Sequence, residues 1–188
     1  DTAFLAQNLL FVLFTFTVLI GTVFPLIVEA VRKVQMSVGR PYFDRMTIPI
    51  GALLLFVMGV GPALPWGSSS REELKRRLLP PTGLGLAFLL AALAYGIRSP
   101  WTLITLFFAG YTAWVTLFEA LRPVRTRMKF RTDGFVKAFA QDLFGPGRRR
   151  MAAYVTHAGV VAAFIAIAVS STSGTSMEGS LKQGESMT

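Results

Sequence analysis

The chain has 188 residues, of which 53% are hydrophobic and only 15% charged, whereas a soluble globular domain carries about a quarter charged residues. This balance excludes an ordinary soluble domain and predicts an integral membrane protein. The net charge of +9 does not indicate a nucleic-acid partner, because the Lys and Arg residues form short clusters between long apolar runs, as in membrane-protein loops. The absence of cysteine excludes disulfides and thiolate metal sites.

Five apolar stretches follow one another along the chain, and a helix needs roughly 20 such residues to cross the hydrocarbon core. They comprise residues 4–28, 48–64, 82–97, 101–121 and 151–171. The third stretch is short and joins the fourth through a tight connection, so we expect a hairpin of two spanning helices, with a re-entrant segment as the alternative. The predicted fold is an all-α integral membrane bundle of about five transmembrane helices, in residues 1–171.

Residues 122–150 are predicted to form a cytoplasmic loop with a helix of its own. From Asp133 to Phe144, the apolar residues Phe135, Phe139 and Leu143 recur at a spacing of four. This spacing predicts an amphipathic helix lying in the membrane interface. A helical cap packed on the bundle is an equal alternative.

The distribution of basic residues orients the predicted bundle. A cytoplasmic N-terminus places most of the Lys and Arg residues in the two inside loops, and the triplet 148–150 belongs to the second of them. By the positive-inside rule, we expect the N-terminus in the cytoplasm and the polar segment 172–188 as the start of a periplasmic portion. Four basic residues in the first outside loop weaken this argument; they are Arg32, Lys33, Arg40 and Arg45. Because the chain begins at Asp1 rather than at methionine, we also expect it to be a piece of a longer protein.

His157 is the candidate functional residue, because an ionisable side chain within a membrane helix usually marks a functional site. It stands roughly 9 Å along the last helix from the arginine triplet, at about 1.5 Å per residue, and imidazole is a frequent axial ligand of haem iron. Ala153, Ala158 and Gly159 leave room for a flat macrocycle, and Tyr154, Val161 and Phe164 could pack against it. The alternative is a neutral histidine that forms a hydrogen bond with a neighbouring helix.

A second protein ligand of a haem iron would have to come from elsewhere, since the chain has one histidine and no cysteine. Met58, within the second predicted helix, is one candidate. The simpler expectation is a second axial ligand outside this chain.

Two other features permit a functional interpretation. The outside segment with Arg40, Tyr42 and Phe43 is a candidate substrate or partner loop, although interfacial anchoring explains its aromatic residues as well. Interrupted helices at Gly21–Pro25 and Gly59–Pro65 are compatible with a membrane transporter subunit. That alternative predicts an inverted repeat and polar helix centres, neither of which the sequence contains. Soluble-enzyme motifs such as Walker or HExxH sequences are also absent, so no catalytic residue can be assigned.

Several segments together resemble the CcmF family of bacterial haem-handling membrane proteins. The matching segments, in order, are Gln7–Leu10 with Gly21–Leu26, Ser37–Phe43, Met58–Trp66, and His157–Val160 followed by Ser170, Ser171 and Gly184–Ser186.

The resemblance implies a subunit or fragment of a cytochrome c haem lyase in the bacterial inner membrane. His157 would then be an axial ligand to the iron of a resident haem b, which passes electrons to the haem being attached to apocytochrome c. The tryptophan-rich segment and external histidines of the family are missing, so the chain is not expected to be active alone.

The implied partners are the remaining N-terminal part of the same protein or a split-gene partner, a haem chaperone, apocytochrome c, a quinol as reductant, and membrane lipid.

Overall fold

The computed structural model describes residues 2–35, 37–64, 70–131 and 134–173, and the described residues form six α-helices without a strand. The helices are α1 (Thr2–Arg32), α2 (Arg40–Ala63), α3 (Arg71–Ala94), α4 (Pro100–Arg131), α5 (Phe135–Phe144) and α6 (Arg148–Ser173). All except α5 are long and apolar enough to cross a membrane. The prediction of an all-α bundle with five spanning helices is therefore confirmed. Pro65, Trp66 and the segment 174–188, which carries the last matching motif, lie outside the described residues.

All five spanning helices begin before their predicted spans, and the difference at the start is largest for α3. This helix begins at Arg71, eleven residues before the predicted stretch, since the charged residues ahead of the apolar run are also helical. The Ser70 side chain accepts a hydrogen bond from the Glu73 backbone N–H at 3.2 Å, and Glu72 and Glu73 lie in the first turn, where carboxylates favour helix formation.

The connection between α3 and α4 is a tight turn, as the hairpin prediction requires. Gly96 has a φ of 86°, a conformation that glycine adopts without steric cost. The backbone N–H groups of Gly96 and Ile97 donate to the carbonyl oxygens of Leu93 and Ala92, which closes a Schellman motif. The chain then enters α4 at Pro100, so the segment is a helical hairpin and not a re-entrant loop.

The central helix of the bundle is α4, which packs against α2, α3, α5 and α6, whereas α1 packs against α2. Half of the apolar window of α4 is buried within the protein, compared with 11% for α1 and for α6. One core cluster joins three helices through Leu55 of α2, Ala109 of α4 and Val161 of α6. One side of α6 thus packs on α4, and the other side of α6 is exposed.

The helix α5 attaches to the bundle through a face that the sequence pattern did not indicate. Ala138 and Asp142 are its buried residues, while Phe135, Val136 and Phe144 are exposed. The helix therefore packs on α4 and α6, as the alternative of a helical cap requires, and keeps an apolar surface outward; its position in the membrane interface stays a prediction.

The crossing of α2 and α4 depends on Gly59. A Cβ atom at this position would lie 3.1 Å from the Thr112 Cα and closer still to the Thr112 hydroxyl. That hydroxyl donates a buried hydrogen bond of 2.8 Å to the Leu55 carbonyl oxygen. Close helix approach through a small residue is typical of membrane bundles.

We predict that Gly59→Ala destabilises the bundle by about 1–3 kcal/mol through overpacking against Thr112. The matched control is Gly61→Ala in the same helix, where an added Cβ meets no atom within 4 Å. The fraction of monodisperse protein that survives heating in detergent measures the difference. Equal heat resistance of the two variants would contradict this account of the crossing.

Candidate functional site around His157

His157 lies on the side of α6 that faces the bundle. It is half-buried and follows Tyr154 by three residues, while Val161 and Phe164 follow His157 by four and seven. These spacings place all four on one helical face. Val161 is buried in the core, and Tyr154 and Phe164 are half-buried. The imidazole therefore stands at the edge of the interface between α6 and α4 rather than facing straight outward.

One ring nitrogen of His157 is already engaged. Its Nδ1 lies 2.7 Å from the Ala153 carbonyl oxygen, one turn earlier in the same helix. A carbonyl oxygen can only accept, so this contact is a hydrogen bond in the neutral tautomer that carries its proton on Nδ1. The Nε2 lone pair is then available as a donor to a metal, and such a backbone hydrogen bond at the second nitrogen is usual for metal-ligating histidines.

Small, exposed residues flank the imidazole. Ala153 and Ala158 are exposed and lie about 40° and 100° around the helix from His157, whereas Gly159 lies about 200° away, on the opposite side. The predicted open space beside His157 is therefore provided by Ala153 and Ala158, and the expectation that Gly159 contributes to it is wrong. Val161, in contrast, is only 4% exposed and packs with Leu55 and Ala109, so the expectation that it packs against a macrocycle is wrong.

The other sequence-predicted site residues lie elsewhere. Met58 is partly buried and packs against the same core cluster as Val161. Tyr42 and Phe43 belong to the first turn of α2, so they are not part of a free loop. The Tyr42 hydroxyl donates to the Thr17 carbonyl oxygen at 3.2 Å, and both rings pack on Gly21 of α1. The Arg40 side chain lies outside the described residues.

A polar cavity near the first turns of α6 was not predicted from the sequence. We call it the arginine cavity; it measures about 510 Å³ and is lined by Glu119, Arg122, Pro123, Thr126, Arg127, Arg150 and Tyr154. Its lining comes from α4 and α6 alone. A larger cavity of about 1220 Å³ lies at the opposite end of the bundle, where α3 turns into α4. His157 lines neither of them.

Asp142 of α5 holds two of the cavity's arginines. Its side chain is 0% exposed, and its Oδ1 lies 3.2 Å from Arg127 and 3.5 Å from Arg150. Arg127 also donates to the Gln141 side chain at 3.1 Å. The second carboxylate oxygen, Oδ2, is buried without a hydrogen-bond partner. A sequence signal existed, because Asp142 is the one acidic residue between positions 134 and 173.

The fold and this site define a polytopic helical membrane protein with one imidazole at a helix interface within its bundle. Among the described residues, no three His, Cys, Asp or Glu side chains group to hold a metal ion. If an iron centre lies here, His157 is therefore the ligand that the described part of the chain would supply.

Comparison with known proteins finds several similar sequences. The chain is 30% identical over its whole length to the cytochrome c-type biogenesis protein CcmF of Pseudomonas fluorescens, of which it covers 27%. It is 33% identical over 77% of its length to the cytochrome c-type biogenesis protein ccl1 of Rhodobacter capsulatus, covering 23% of that protein. Escherichia coli CcmF is 28% identical over 73% of the chain, which covers 22% of it.

The chain is thus homologous to a part of the CcmF-type proteins of cytochrome c-type biogenesis, as its motifs suggested. It spans about a quarter of the length of these curated relatives. No family model matches it, and no solved structure matches it.

We predict that Asp142→Asn loosens the attachment of α5. Loss of the buried charge weakens its contacts with two guanidinium groups, which costs about 1–3 kcal/mol for hydrogen bonds to charged groups. Thermal unfolding in detergent should shift downward, and trypsin should cleave faster after Lys137. The control is Glu73→Gln, which breaks an exposed pair with Arg77 that contributes about 0.5 kcal/mol. Equal effects of the two changes would show that Asp142 does not anchor α5.

Proposed function

We propose that this chain acts in cytochrome c biogenesis as a haem-binding part of a cytochrome c haem lyase, with His157 as an axial ligand to the iron of a haem b. The observation that carries the proposal is the state of the imidazole. It is half-buried, and its Nδ1 lies 2.7 Å from the Ala153 carbonyl oxygen, so Nε2 is the ring nitrogen that remains for iron. The names of the homologous proteins support the same process.

The residues around His157 fit a haem. Imidazole nitrogen is a common haem ligand, and the hydrogen bond from Nδ1 orients the ring and raises the basicity of Nε2. The exposed small residues Ala153 and Ala158 can accept a flat apolar group beside the imidazole without repacking the core. The half-buried position also limits access of water to the imidazole.

The second axial ligand is proposed to lie outside this chain. His157 is its one histidine, and Met58 already packs in the cluster of Leu55, Ala109 and Val161. The remaining N-terminal part of the same protein or a split-gene partner would supply the ligand, as the quarter-length match to the relatives suggests. This chain is accordingly not expected to attach haem alone.

When bound, haem b would supply one-electron redox chemistry for the iron of the haem that is being attached. The contribution of this chain is to hold that group through His157 and to exclude water with α4 and α6. A quinol is proposed as reductant, and a haem chaperone and apocytochrome c as partners. The segment with Arg40, Tyr42 and Phe43 would then face them from the periplasmic side, where Tyr42 and Phe43 fasten α2 to α1.

We predict that His157→Ala in the full-length protein removes the bound haem b, because the substituted side chain has no donor atom for iron. The measurement is the visible spectrum of the purified protein, with haem content determined by pyridine haemochrome. Met58→Leu is the control, since it removes the other candidate donor but preserves apolar packing. An unchanged low-spin haem spectrum in His157→Ala, without added imidazole, would overturn the ligand assignment.

We also predict that this chain is inserted in a bacterial inner membrane with its N-terminus on the cytoplasmic side. The chain contains no cysteine, so single cysteines report its topology once any cysteines outside it are replaced. Ser99→Cys, in the exposed turn between α3 and α4, should react with a membrane-impermeant maleimide in intact spheroplasts. Val136→Cys, at a position 78% exposed in α5, should react only after permeabilisation. The reverse labelling pattern would invert the proposed topology.

A further inference from the structure

The arginine cavity lies on the same face of α6 as His157. Arg150 and Tyr154 line the cavity, and His157 follows them by seven and three residues. At 3.6 residues per turn, the three side chains lie within a sector of roughly 60°, offset along the axis by about 10 Å and 4.5 Å from His157. A ligand bound at the imidazole and a group in the cavity are therefore on one continuous surface.

Among the described side chains that form ion pairs at the arginine cavity, the positive charges outnumber the negative ones. Arg122 pairs with Glu119 at 3.5 Å, while Arg127 and Arg150 share Asp142. Three guanidinium groups thus meet two carboxylates, which leaves one positive charge in excess. Beside an apolar bundle such an excess favours an anion with oxygen acceptors, which arginine can bind through two parallel hydrogen bonds.

Two of the three guanidinium groups are held in place. Asp142 is 0% exposed and pairs with Arg127 and Arg150, and Gln141 accepts a second hydrogen bond from Arg127. Arg122 is 58% exposed, so it can turn toward a ligand. The cavity therefore offers N–H donors to carboxylate or phosphate oxygens, from guanidinium groups of which two are already positioned.

We infer that the arginine cavity binds the propionate carboxylates of the haem whose iron His157 ligates, with Arg122 and Arg150 as the charged partners and Tyr154 as a hydroxyl donor. This inference rests on the proposed function. A haem carries both propionates on one edge of its macrocycle, so an iron ligand and carboxylate partners must lie on one surface and be offset from each other. His157 and the cavity satisfy that requirement. A lipid phosphate shares the chemistry of an anionic oxygen group, but it requires no relation to the histidine.

The test uses the full-length protein in phosphatidylcholine vesicles, with Arg122→Gln and Arg150→Gln compared with the parent. Bound haem per protein and the midpoint potential of the haem are measured. Loss of a cation beside a propionate disfavours the added electron, so the potential should become more negative. Haem retention should weaken roughly ten-fold, the equivalent of one hydrogen bond to a charged group.

Two control variants and the second test variant separate this role from others. Arg149→Gln removes the same charge from the adjacent, exposed position, which is not part of the cavity, and should leave both quantities nearly unchanged. Arg150→Lys keeps the charge and should restore most of the potential. Arg122→Gln tests the cavity without touching Asp142, so a structural loss in Arg150→Gln does not decide the outcome.

Some outcomes overturn this inference and leave the proposed function intact. One is that Arg122→Gln and Arg150→Gln keep the midpoint potential and the haem content of the parent protein while His157→Ala loses its haem. A shift no larger than that of Arg149→Gln is another, since it would reflect only the general field of the protein. An effect that appears only in vesicles containing phosphatidylglycerol assigns the cavity to a lipid phosphate instead. Retention of haem by His157→Ala would reject the proposed function itself.

Discussion

The contact distances between α4 and its neighbours govern the whole bundle. Where lipid surrounds the helices, apolar burial does not drive helices together, so close packing through small residues must do so. Gly59 brings α2 against Thr112, and Gly85 and Gly110 bring α3 and α4 together, with a Cβ at Gly110 only 2.8 Å from the Leu84 carbonyl oxygen. These crossings fix α4 as the axis on which the other helices are placed.

The position of His157 follows from this axis. Because Val161 packs with Leu55 and Ala109, the face of α6 that carries His157 turns toward α4. The same contact brings the first turns of α6 beside the end of α4, where Arg150 and Tyr154 meet Glu119 and Arg122 in the arginine cavity. α5 completes the arrangement, since the buried Asp142 joins Arg127 of α4 to Arg150 of α6. Packing in the core and ion pairs at the end of the bundle thus orient the same helix.

The sequence was sufficient for the fold class and for the number of spans, because apolar runs of helical length have few structural solutions in a membrane. It was also sufficient to single out His157, an ionisable residue in an apolar run. The start of α3 was missed, since hydropathy does not register the charged turns that Ser70 caps. The arginine cavity was missed because Arg122 and Arg150 are 28 positions apart in the chain, and only the packing of α4 on α6 brings them together. The buried face of α5 escaped prediction for a related reason. Its apolar residues recur at the predicted spacing, but the ion pairs of Asp142 with Arg127 and Arg150 determine which side of the helix faces the bundle.

The exposed surfaces of α1 and α6 show which parts of the structure meet lipid or other protein. Each buries only 11% of its apolar window, so most of their side chains are exposed or only partly covered by the rest of the protein. On α6 the exposed surface near His157 includes the small residues Ala153 and Ala158, which permit a close approach. A haem held there would be covered by α4 on one side only. Under the proposed function, the residues that enclose its other face and supply its second ligand come from protein outside this chain.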